Sequence, residues 1–281
     1  MARTPWRQLD PDAAKTLTTM RVEAHWAAQV ASAPGTAHLG PDDTYDHTNL
    51  GWHDGYDALV GREVEGLRAA LRVVDLTWVL LGEGDAVVAA TSAVDQTLRQ
   101  GMTWLGEAIA ANGGPAGFLD VGEHRDDLPE HPVGTNAPFT GANALALAEL
   151  TAWFASAQHA LEPFAEHEES TGLRCWPHHF DVATLLLLDT PDADPESARS
   201  IGIGMTPGDG EIDEPYFYVT PWPYPETWGG PDLPCGAWRT EGWFGAVLRG
   251  SELPREGQAE AVAAFLEAAV AACRGMVASG S

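Results

Sequence analysis

Residues 180–188, FDVATLLLL, constrain the fold of this 281-residue chain more than any other stretch. The run is too short to cross a bilayer and too apolar for a surface element, and it reads as a strand covered on both faces. Such a strand needs a sheet around it and helices above it. The rest of the chain supplies candidates for both.

Ser200 to Met205 and the aromatic, β-branched Tyr216 to Thr220 read as further strands, and so does GAWRTEGWFGAVL (236–248), with a break near Gly242. A last helix is expected from about Pro254 to Met276, with Val262, Phe265, Leu266, Ala269 and Cys273 at helical spacing. In the first half, Thr16 to Ala33 fits either a strand or a helix. Residues 40–55 read as loop, 56–72 as a helix with Leu59, Val60, Val64, Leu67 and Leu71 on one stripe, and 73–81 as a buried strand. A helix is expected from Ser92, with Asp95 in a near capping box, to Ala111, closed by Asn112-Gly113. Residues 113–139, rich in Gly, Pro, His and Asp, read as a long connection or lid. A second long helix follows over 141–166, where Pro163 should kink or end it. The fold class is α+β, an antiparallel-rich sheet covered by helices.

Similar landmarks recur at offsets of about 160 residues. His25-Trp26, Pro41-Asp42-Asp43, Trp78 and Trp104-Leu105 precede His179-Phe180, Pro207-Gly208-Asp209, Trp243 and Phe265-Leu266. Two readings fit. Either the chain is two related halves with pseudo-twofold symmetry (1–112 and 173–281, joined by 113–172), or any α+β chain offers such an order by coincidence.

Forty-one acidic residues against fifteen basic ones give a formal charge of −26, and only Lys15 is a lysine. That surface repels phosphate backbones, and no basic run offsets it, so nucleic acid is not an expected partner. Compositional style and salt adaptation both explain the charge. Cys175, Cys235 and Cys273 are odd in number and widely spaced, which argues against a disulfide framework or a cysteine zinc site. No secretory h-region and no membrane span of roughly 20 apolar residues is legible, so the expectation is a cytoplasmic protein without a membrane partner.

Two clusters carry candidate chemistry. In WPHHFD (176–181), His179 and Asp181 would share one face if the strand began there. They could then chelate a divalent transition metal, with His25 or His47 as further ligands, or act as an oriented base pair. Equally, they could simply hydrogen-bond at a strand end. In the second cluster Asp209 sits between glycines, Glu214 precedes a strand, and Tyr216 and Tyr218 share a strand face. These residues suit a ligand floor with acids at its rim, or a turn with half-buried tyrosines. Asp42, Asp43, Asp46, His47, Asn49 and Trp52 make an acidic loop without EF-hand spacing. Trp222 belongs to a tryptophan-rich segment that could stack on a ligand. Phosphate-loop, dinucleotide, nucleophile-elbow and HExxH patterns are absent, and a lone lysine makes Schiff-base chemistry a poor fit.

At WPHHFD, at SIGIGMTPGDGEIDEPYFYVTPWPYP (200–225) and at WRTEGWFGAVL (238–248), the chain resembles a group of bacterial hypothetical proteins. More loosely it is similar to a bacterial family of unknown function with a tryptophan-and-FD strand before an aromatic, proline-rich segment. The likeness covers about 174–250, with HWAAQ and DHTNLGW in the first half, and implies a shared fold without an activity. The expectation is a small-molecule enzyme or ligand-binding protein. Its polar site would hold His179, Asp181, Asp209 and Glu214 as catalytic groups and Tyr216, Tyr218 and Trp222 as ligand contacts. His25, His47, His179 and Asp181 would serve a metal in hydrolysis or isomerisation. A non-catalytic interaction module using the aromatic surface of 221–243 is the alternative.

Overall fold

The computed structural model describes residues 5–41, 45–190 and 198–279; Asp42 and Asp43 of the acidic loop lie outside the described residues. The fold is α+β, with four α-helices and two antiparallel sheets of five and six strands among the described residues. The chain divides into two compact units. The amino-terminal unit comprises 16–151 with 174–180, and the carboxyl-terminal unit comprises 1–15, 152–173 and 181–281.

In the amino-terminal unit, α1 (Thr18–His38) resolves the ambiguous first segment as a helix. Every residue from Met20 to Gly35 is buried, so its alanines matter as small packing residues on all sides. It packs on β2 (Ala58–Val60), β3 (Arg68–Arg72) and β4 (Thr77–Leu81), which run in order between β1 (Gly51–His53) and β5 (Val87–Ser92). The helix expected over 56–72 is therefore a hairpin. Val64 and Leu67 exchange backbone hydrogen bonds around Glu65-Gly66, whose φ values are 49° and 81°. Positive φ at both central residues is the turn that matches strand twist, and it outweighs the helical spacing of the flanking apolar residues.

Strand β5 was not legible beforehand, because as an edge strand it leaves Val87 and Val88 exposed. Helix α2 (Leu98–Ala111) starts six residues later than expected. Its cap is Thr97, whose side chain accepts from the Gln100 amide while Gln100 returns the bond to Thr97 N–H. The 113–139 connection is irregular apart from short 3-10 turns, and α3 (Ala144–Ala165) ends two residues after Pro163. Segment 174–180 carries β6 (Arg174–Trp176) and adds a bridge from Cys175 to Leu50.

In the carboxyl-terminal unit, β7 (Asp181–Leu187), β8 (Ser200–Thr206), β9 (Tyr216–Trp222), β10 (Ala237–Arg239) and β11 (Gly245–Arg249) lie in the order β10-β11-β9-β8-β7. The break near Gly242 is the β10–β11 hairpin turn, where Gly242 has φ 75°. One sheet face, including Ile203, Phe217, Val219 and Leu248, is buried, and α4 (Gln258–Ser279) lies against β8, β9 and β11 through Val262, Phe265, Leu266 and Ala269. The other face is covered only in part. Leu185 and Leu187 are exposed, so β7 is not the doubly covered strand that its apolar run implies. By length and composition α4 could cross a membrane, against the sequence expectation. Alanines lift its mean hydropathy to 1.6 over an 18-residue window within 258–278, while Glu260 and Glu267 lie on an exposed face. Among the described residues the three cysteines form no disulfide.

Candidate functional site

In the carboxyl-terminal unit the structure gathers four of the expected residues. Tyr216 and Tyr218 project from the same face of β9, and their hydroxyls donate to Asp209 Oδ2 and Asp181 Oδ2, each at 2.5 Å. Gly204, opposite Tyr218 on β8, makes room for the ring: a Cβ there would fall 2.5 Å from the phenol. Burial and the two carboxylates hold both phenols neutral by raising their pKa. The Asp209 carboxylate is fully engaged, since Oδ1 accepts from the Glu211 and Ile212 amides at 2.7 Å. This is turn chemistry that also anchors a tyrosine.

Glu214 takes a structural role. It is buried and accepts from Ser251 N–H at 2.8 Å, which ties the strand entrance to the turn after β11. Trp222 lies at the far end of β9, 45 % exposed and edge-on to Tyr224. Arg239 pairs with Glu211 and lies 5.4 Å over the Trp243 ring.

In the amino-terminal unit the histidines follow a different plan from the expected one. Residues 177–180 form a turn, with Phe180 at φ 61°, so His179 and Asp181 do not alternate along one strand. The Phe180 N–H bonds to Trp176 O at 2.6 Å and closes this turn. His25, expected as a metal ligand, instead supports it from α1. Its Nε2–H donates to Pro177 O at 2.8 Å, Gln29 donates to the same oxygen at 2.7 Å, and the imidazole stacks 4.9 Å from the Phe180 ring. Burial pushes the His25 pKa down to about 3, so it is a neutral donor.

The turn presents His178. Its ring stacks 4.5 Å from His124 and lies 4.2 Å from the exposed His179. Tyr45 meets His124 edge-on at 4.7 Å and stacks on His47 at 6.3 Å. Together Tyr45, His47, His124 and His178 line a cavity of about 340 Å³, with Gln29, Ser32 and Thr36 of α1 at its base. Gly35 sets the His47 loop on the helix, since a Cβ there would meet the His47 carbonyl at 2.0 Å. Burial, then the neighbouring His179 and His124, lower the His178 pKa to about 4. His124 is oriented by Asp127, whose Oδ2 accepts from Nδ1 at 2.9 Å. The Nδ1 atoms of His47 and His178 are buried without a hydrogen bond among the described residues, leaving Nε2 as the nitrogen each ring can offer to the cavity. Asp46 is spent on Arg62 and Arg174.

Among the described residues no group of three or more His, Cys, Asp or Glu side chains is placed to hold a metal ion. The metal set His25, His47, His179 and Asp181 therefore does not assemble as expected. The physical reason is local: His25 uses Nε2 on a backbone carbonyl, and the 178–180 turn replaces the expected strand.

A larger cavity, about 810 Å³, lies between α2 and the 113–139 connection. One short segment walls both spaces. Leu119, Asp120 and Arg125 line the larger cavity, while Val121, Gly122 and His124 line the histidine cavity. Sequence reasoning missed Tyr45 and His124. The only signal for them was the His and Asp content of the two loops that carry them. Comparison with family models, curated proteins and solved structures gives no match for this chain.

Proposed function

We propose that the chain is a small-molecule enzyme or ligand-binding protein whose site is the cavity lined by Tyr45, His47, His124 and His178. The observation that carries this reading is the convergence of three imidazoles and a phenol on one concave space. Its volume of about 340 Å³ lies near the lower end of the usual range for ligand pockets, ~300–1,000 Å³. With the His178 pKa near 4, that ring is uncharged at neutral pH and can stack as well as hydrogen-bond. The class that suits these walls is a small planar polar molecule, such as a nitrogen heterocycle. It would lie against the His124–His178 stack and bond to ring nitrogens and α1 polar groups. If the protein is catalytic, the uncharged His178 is the base through Nε2, with His124 and its Asp127 partner holding the ring stack in place, and the chemistry is proton transfer in an isomerisation or hydrolysis.

A thermal-shift screen of small heteroaromatics against the full chain, repeated on His178→Ala and Tyr45→Ala, tests the reading. Hits that stabilise the parent and neither variant support it. Hits that survive both substitutions sink it.

The alternative reading, an interaction module, has its own observation. Trp222, Tyr224 and Trp228 are exposed at 45 %, 37 % and 37 % and brace one another edge to face. Under that reading Trp222→Ala and Trp228→Ala abolish partner binding and leave the histidine cavity unaffected.

A further inference from the structure

The larger cavity is a groove whose floor is Leu98 and Met102 of α2 with Leu119 and Val133 of the connection. All four are buried, and the exposed Phe118 also lines the space. Two charged side chains of α2 face it, Arg99 and Glu107. They are eight residues apart, or ~12 Å along a helix axis.

Neither is neutralised. Arg99 and Glu107 are exposed and make no hydrogen bond or ion pair with the described residues. For an arginine in this chain that is unusual, because acids outnumber bases 41 to 15 and carboxylates are available nearly everywhere. Arg62, Arg68, Arg72, Arg174 and Arg239 each rest on one. The other arginine lining the groove, Arg125, donates to Gly134 O at 2.6 Å and lies over Trp26. Arg99 is thus an uncommitted fork at one end of an apolar channel.

We propose that this groove binds a small amphipathic monocarboxylate, with the carboxylate on the Arg99 guanidinium and the hydrocarbon along Met102, Leu119 and Val133. The planar fork of arginine matches a carboxylate in a two-point hydrogen bond. The buried floor takes the chain, and burial of each methylene contributes in proportion to its area. Glu107, with Asp120 also lining the groove, sets the specificity. A second negative charge on the ligand would meet a like charge about 12 Å from the first, so dicarboxylates and phosphates of higher charge are selected against. This site is separate from the proposed histidine cavity and does not depend on that reading.

Calorimetric titration of the full chain with octanoate, with suberate (the dicarboxylate of equal length) and with 1-octanol tests the proposal at low salt. Octanoate is expected to bind at one site, and suberate and octanol each at least tenfold more weakly. Arg99→Gln should cost octanoate at least tenfold, and Thr103→Trp, which fills the groove, should remove binding. Glu107→Gln should raise suberate affinity toward that of octanoate. The three positions are exposed, so their substitution leaves the core intact. Absence of octanoate binding, equal binding of octanol, or octanoate affinity unchanged in Arg99→Gln would each overturn the proposal.

Discussion

The Tyr218 hydroxyl donates to Asp181 Oδ2 at 2.5 Å across the mouth of Gly204, so one glycine on β8 decides whether a phenol on β9 can reach a carboxylate on β7. Tyr218→Phe removes the donor and should lower stability by about 1–3 kcal/mol. Gly204→Ala should cost a similar amount by driving its Cβ into the ring. Because both act on one contact, the double variant should fall well short of the sum, which a double-mutant cycle in urea checks. Additive losses would separate the glycine from the hydrogen bond.

The same pair predicts alkaline behaviour. Folding raises the pKa of Tyr216 and Tyr218, so the folded state holds these protons more tightly than the unfolded chain, whose phenols ionise near 10. Their stabilising contribution is complete below about pH 10 and is lost as pH rises further. Tyrosinate absorbance should show these two phenols ionising only with unfolding. The signal should be missing from the unfolding step in a Tyr216→Phe, Tyr218→Phe variant.

His25 predicts the acid limb. Its folded pKa of about 3 lies below the unfolded value near 6.5, so between those values the unfolded state binds a proton that the folded state refuses. Stability from this group is present above about pH 6.5 and drains away as pH falls toward 3, by an amount on the order of 4 kcal/mol. His25→Gln should flatten the pH dependence of urea unfolding between pH 4 and 6.5. An unchanged slope would mean that the imidazole titrates in place.

Glu23 of α1 is buried and holds three donors: Thr140 N–H and Gly141 N–H at 2.9 Å and the Thr140 hydroxyl at 2.5 Å. Bonds to a charged acceptor are the strong kind, and removing the acceptor strands two amides. Glu23→Ala should destabilise by about 2–4 kcal/mol, measured by chemical denaturation. A loss under 1 kcal/mol would show that water replaces the carboxylate.

Gly35→Ala pits two effects against each other. Helix propensity favours alanine by about 1 kcal/mol, but the new Cβ would overlap the His47 carbonyl. The overlap should win, and the His47 loop should move. Expected readouts are a shift in the histidine ring resonances and loss of hits from the heteroaromatic screen, with helical circular dichroism retained.

What the sequence made legible follows the range of the forces involved. Alternation in YFYVT puts Tyr216 and Tyr218 on one face because strand side chains repeat every two residues, and the structure agrees. The Asp209 turn was readable from its flanking glycines. Residues 56–72 were not, because apolar residues on two short strands and a tight turn imitate a helical stripe. Helix α1 resisted reading because burial on all sides erases amphipathic periodicity. His178 was visible as part of a dense local motif. Its partners Tyr45 and His124 were not, since loops distant in sequence bring them there. The paired landmarks fall on like elements only in part: Trp104-Leu105 and Phe265-Leu266 are both helical, in α2 and α4, whereas His25 is helical and His179 lies in a turn, and Trp78 is in β4 while Trp243 lies in a hairpin turn.

The segment 119–125 gives each of two spaces one side of itself. A wall in common is a thermodynamic link. If a molecule in one chamber binds better to one position of that wall, it biases the affinity of the other chamber, and the bias must be equal in both directions. Two occupants that never touch would thus report on each other through seven residues of backbone.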